Sequence, residues 1–144
     1  MNDSMKLVGT LKVLLSDSDG NIKKEYDFKN LVVDTGKAFT INALIANSTS
    51  PFTYIAIGTG TTAANTSNTQ LGAEVSRVAF SYATTTSSVT MTSIFAPGIG
   101  TGSITEAGIF NAASSGTMLS RTVFDPVNKT SSDQLSIIWT INLS

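Results

Sequence analysis

The closing stretch "QLSIIWTINL", Gln134–Leu143, places Leu135, Ile137, Trp139, Ile141 and Leu143 on one side of the chain and polar or smaller groups largely on the other. Strict period-two alternation over that length is the mark of a strand with one buried face. It is the clearest pattern in the chain, and it sets the expectation for the rest.

Working back from it, "ITEAGIFN" and "TMLSRTVF" read as a hairpin around "AASSG", with "DPVNKTSSD" as the loop that follows. If 104–110 and 117–123 pair around that turn, Glu106 lies opposite Arg121 as a cross-strand ion pair. Ile104, Phe110, Leu119 and Val123 then share a face. "APGIGTGS" at 96–103 is a loop on its Pro and Gly residues. Strands are expected at 53–57, 74–83 and 88–95, the second with Val78, Phe80 and Tyr82 on one face, the third with Val89, Met91 and Phe95.

Near the start, "MKLVGTLKVLL" and "IKKEYDFKNLVV" flank the turn "SDSDGN", giving a charged hairpin over 1–33 with one wet side. The single helical segment expected is 34–47, "DTGKAFTINALIAN", capped by Asp34 or Thr35 and ended by Asn47, with Ala38, Ile41 and Ile45 along its buried stripe. The fold expected is all-β: one domain over 1–144, an antiparallel β-sandwich of jelly-roll type with one short helix and its main strands in 48–144.

Composition narrows function. The 144 residues contain no Cys and no His, which removes disulfides, thiolate nucleophiles, Cys/His zinc sites and a Ser-His-Asp triad. The net charge of −1 gives no basic surplus for a phosphate backbone, so no nucleic-acid partner is expected. No apolar run has the length of a membrane span and the first residues lack a secretory pattern, so no membrane association and synthesis in a cytosol are expected. The sequons at Asn47, Asn65 and Asn128 are then chance matches in a Ser/Thr-rich chain. Charged residues are only 13%, and six of the nine Lys and Arg lie between Lys6 and Lys37. Such a surface suits packing against other protein. Lys6, Lys12, Lys23, Glu25, Asp27 and Lys29 are the candidate protein-interface residues.

Other motifs resolve to structure. Gly58-Thr59-Gly60 follows a strand but lacks the Lys-Ser/Thr pair of a P-loop and the third Gly of a dinucleotide fingerprint, so Gly58 and Gly60 are read as a turn. Asp17, Asp19 and Asn21 have calcium-loop spacing, but Gly20 and Phe28 stand where that loop needs other residues. Three Glu and seven Asp give no distinctive pair of facing carboxylates. Glu106 and Arg121 are read as a structural ion pair. No catalytic residue, metal site or cofactor is expected.

"YIAIGTGTTAA…LGAEVSR", "ITEAGIFNAASSGTMLSRTVF" and "DQLSIIWTINL" together resemble small virion structural proteins of tailed bacteriophages. The Glu-Ala-Gly-Ile-Phe run at 106–110 is similar to a motif of tail-collar and fibre-attachment proteins. The resemblance spans about Leu31 to the end. It implies a jelly-roll sandwich acting as a homo-oligomer, commonly a trimer, on the virion with the major capsid protein or other virion proteins as partners. Compactness and few exposed aromatics lean towards a capsid cement or decoration protein; the alternative is a tail, baseplate, collar or fibre component. A lectin-like module is a third reading, for which Phe52 and Tyr54 are the aromatic candidates.

Overall fold

A computed structural model describes residues 4–45 and 50–144. Among them are ten strands and one helix. The first sheet holds β1 (Leu7–Ser16), β2 (Ile22–Lys29), β6 (Ser81–Thr84), β7 (Ser88–Phe95) and β10 (Gln134–Leu143), in the order β2-β1-β10-β7-β6. The second holds β3 (Leu31–Val32), β4 (Tyr54–Gly58), β5 (Glu74–Ala79), β8 (Gly102–Phe110) and β9 (Met118–Lys129), in the order β3-β9-β8-β4-β5. Every strand pairing is antiparallel.

The alternation of β10 does what its period requires. Leu135, Ile137 and Trp139 are wholly buried, and β10 lies at the centre of its sheet between β1 and β7. Leu11, Val13 and Leu15 of β1 join them from one side, Met91 and Phe95 of β7 from the other. Ile55, Ile57, Ile104, Ile109 and Val127 of the second sheet complete the same apolar cluster. The outward face of β1, β10 and β7 carries Lys12, Ser136, Thr140 and Thr90, and the last two hydroxyls lie 3.1 Å apart.

Several expectations are corrected. The segment 74–83 is two strands, because the chain leaves the second sheet after Ala79 and enters the first at Ser81. Phe80 packs on the core at that crossing, whereas Tyr82 is 69% exposed. Strand β9 continues to Lys129, through Asp125 and Pro126, where the sequence predicts a loop. The ladder between β8 and β9 is irregular between Ile104 and Glu106, so the proline sits where no N–H is needed.

The β8–β9 register also differs from the one expected. Gly108, not Glu106, faces Arg121, and Glu106 faces Val123. The irregularity at Ile104/Glu106 and a second at Ile109/Phe110, where Leu119 is the extra residue, turn Ile104 and Leu119 into the main core, while Phe110 keeps the face of Glu106. Phe110 belongs instead to a smaller cluster with Val33, Ala56, Leu71 and Met118.

The helix α1 spans Asp34–Ala43. Its N-cap is Val33, with no side-chain cap, and the Thr35 hydroxyl donates to the Met118 carbonyl instead. The expected stripe is not the buried one: Ala38 and Ile41 are exposed, and Ile45, just beyond the helix, is 85% exposed. The helix docks through Gly36, whose missing side chain lets it lie against the backbone of Leu119. Asn47, expected to end the helix, lies outside the described residues.

Candidate functional site: a carboxylate hub beneath a loop

Between β4 and β5 the chain runs through residues 59–73, a Thr/Ala/Asn/Ser-rich loop that crosses the second sheet. Leu71 plugs it into the smaller apolar cluster, and Asn65 and Asn68 shape its middle by accepting nearby backbone N–H groups. Beneath the loop, Glu106 of β8 and Arg121 of β9 are both buried, with Arg121 Nη2 2.8 Å from Glu106 Oε2. They sit on one face of the sheet as diagonal neighbours, so the two-residue difference in register still leaves them in reach.

The carboxylate is saturated. Oε1 accepts the N–H of Gly60 at 2.9 Å and of Ala73 at 2.7 Å; Oε2 accepts the N–H of Gly72 at 2.9 Å and two donors of Arg121. The guanidinium is used equally. Beyond Glu106 it donates to the carbonyls of Thr62 at 3.0 Å and Ala63 at 3.4 Å and to Asn68 Oδ1 at 2.9 Å. All five of its N–H bonds have acceptors. Burial pushes the Glu106 carboxyl up, but the N–H groups of Gly72 and Ala73, the guanidinium and the Gly60 N–H outweigh it and hold the group below its ordinary value. Both partners are consumed in fixing the loop from its start to its end.

This geometry gives Gly58 and Gly60 their reason. Neither has a positive φ. A Cβ on Gly58 would stand 2.5 Å from the Ala73 carbonyl oxygen and 2.6 Å from Glu106 Oε1, and one on Gly60 would fall on the same carboxylate. The glycines leave room for a carboxylate that approaches their backbone.

Sequence reasoning did not single out three further anchors. Arg77 of β5 lies 3.8 Å above the Phe110 ring, is bidentate to Glu74, and donates to the carbonyls of Ala112 and Ser115, both at 2.8 Å. It thereby holds the 111–117 connection. Lys129 is buried at the end of β9 and donates to the Ala96 carbonyl at 3.0 Å, tying down the 96–101 loop. Burial lowers its pKa, with the charge of Asp133 partly opposing. Asp133 accepts the Thr130 N–H and the Lys23 ammonium, and its pKa is lowered by them in that order. The one sequence signal available was the rarity of charge beyond Lys37, where Arg77, Lys129 and Asp133 are among the few ionic residues.

Of the six charged candidates, Lys12, Glu25, Asp27 and Lys29 share the outward face of β1 and β2, while Lys6 and Lys23 lie away from them. Lys12 pairs with Glu25 at 3.0 Å on the exposed side, and that hydrogen bond, then the charges of Glu25 and Asp27, raise its pKa. Lys23 is drawn to Asp133. Asp27 and Lys29 are exposed, and Lys6 lies apart, beside the helix. Phe52 is stacked edge-on against Phe39 with centroids 4.6 Å apart, and Tyr54 packs on the smaller cluster. No cluster of His, Cys, Asp and Glu suited to a metal occurs among the described residues. No protein-family model, curated protein or solved structure matches the chain.

Proposed function

We propose that the chain is a structural protein of a bacteriophage virion, a capsid cement or decoration protein that bridges neighbouring capsomers, and that it works as a homo-oligomer. One observation carries this reading beside the sequence resemblance: buried ionic groups are committed to holding loops in place, Glu106 and Arg121 above all. A protein that must grip another across a wide, wet surface gains from loops ordered in advance, because less freedom is lost on docking. Ser- and Thr-rich loops of low charge provide hydrogen-bonding groups for such a contact. Binding only the assembled shell stabilises it by mass action.

The finer topology fits this reading as a jelly-roll-type sandwich. Chain-distant strands pair in nested order, β1 with β10 in one sheet and β3 with β9 in the other. The hairpins that remain within one sheet, such as β8–β9, depart from the plain form. A tail, baseplate or collar part is the alternative, since a rigid loop platform serves host attachment equally.

Particles of the encoding phage made without this chain separate the two. Cementing predicts that they release DNA at a lower temperature and recover when purified chain is added back. Unchanged heat resistance together with lost adsorption to host cells would transfer the protein to the tail. If neither property changes, the virion reading fails.

A further inference from the structure

The outward apolar stripe of α1 is the largest departure from the sequence pattern, and it does not stand alone. Two grooves flank the helix. One, of about 490 Å³, runs between Phe39, Phe52, Phe80 and Ile141; the other, of about 540 Å³, runs between Met5, Val8, Ile41 and Leu143. Leu7 and Thr40 line both, so the two adjoin. Between and beyond them stands a ridge: Ile41 is 59% exposed, Leu44 68% and Ile45 85%. Charge is sparse here, with Lys6 and Lys37 on the walls and Asp34 3.7 Å from Lys37.

We infer that this face is a subunit interface, where the ridge Ile41–Leu44–Ile45 of one copy seats in the grooves beside α1 of another. Three properties select a second copy as the occupant. Ridge and groove lie on the same surface, so one chain supplies what its twin lacks, as a self-complementary contact requires. The centre is apolar and poor in charge, the character of interfaces between identical subunits. The area also suffices. Met5, Val8, Ile41, Leu44, Ile45 and Leu143 together present on the order of 300 Å² of apolar surface. A standard half-interface of about 800 Å² is roughly 60% apolar, and the walls of the groove beside Phe39, Phe52 and Phe80, which none of these six residues line, add to the patch. A patch of this extent matches the largest apolar patch of a typical single chain, which is often a functional surface. The inference deepens the homo-oligomer part of the function proposed above and rests on that part alone.

The test is sedimentation velocity of the purified full chain over a concentration series. The expected result is a discrete oligomer whose dissociation constant rises at least about tenfold in Leu44→Glu and in Ile45→Glu. Both positions are solvent-exposed in the subunit, so circular dichroism melts of the dissociated chains should match. Ile94→Glu, at a 52% exposed site on β7 away from the helix, should leave the oligomer intact. A wild-type chain that stays monomeric at all concentrations overturns the inference and the homo-oligomer reading with it. An oligomer indifferent to both ridge variants overturns the interface alone. Monomers that gain mass only with added lipid vesicles would show that a lipid surface, not a second copy, covers the ridge. The virion reading is decided separately, by the particle experiment.

Discussion

Replacing Glu106 by Gln keeps the volume of the side chain and removes its charge, which leaves Arg121 buried without a counter-ion. Breaking a buried pair from one side costs about 3–5 kcal/mol, so the melting temperature should fall by roughly 10 °C or more. A loss under about 1 kcal/mol would mean that the loop is held by other contacts. The same carboxylate sets the acid limit. Its folded pKa is depressed, so its stabilisation is complete above the unfolded value of about 4.3 and is lost as pH falls through the folded value. Denaturant titrations of wild type and Glu106→Gln should therefore differ by a constant amount near neutrality and converge in strong acid. Gly60→Ala should cost about 1–3 kcal/mol by pressing on the carboxylate, and much less in a Glu106→Ala background. Additive costs would sever Gly60 from the hub. At this scale the sequence disclosed the partners but not their task. The Glu106–Arg121 pairing was legible from two opposite charges in adjacent apolar strands. The three backbone donors on Glu106 come from a loop whose path no local pattern encodes.

At the scale of elements, Gly36→Ala is a test of sign. In an exposed helix interior that change stabilises by up to about 1 kcal/mol. Here the added Cβ meets the Leu119 backbone, with Cα at 2.7 Å, so α1 must move off β9 and thermal melting should show a loss. A gain would mean that the helix is not seated as described. The strands themselves were legible where one face is buried: β1, β7 and β10 follow from alternation alone. The breaks were not. The switch of sheets at Phe80, the two irregularities in β8–β9 and the passage of β9 through Pro126 depend on which strand lies alongside, and that is information held elsewhere in the chain. The docking face of the helix departs from the pattern for a related reason. Its apolar residues suggested an inward stripe, but the backbone contact that Gly36 permits decided which face docks.

For the whole molecule, two sheets share one apolar cluster, and three loops between their strands are pinned by buried or half-buried ions: 59–73 by Glu106 and Arg121, 111–117 by Arg77, 96–101 by Lys129. Pinned loops at low charge and an apolar ridge beside α1 are the features that support the proposed role in contacts with other protein, many copies at a time. Quantitative mass spectrometry of purified particles, with this chain measured against the major capsid protein, tests that claim most directly. The account predicts a ratio near one copy per capsid subunit or one per few. A ratio hundreds of times lower would place the chain in the tail and contradict cementing, and its absence from particles would contradict a virion role altogether.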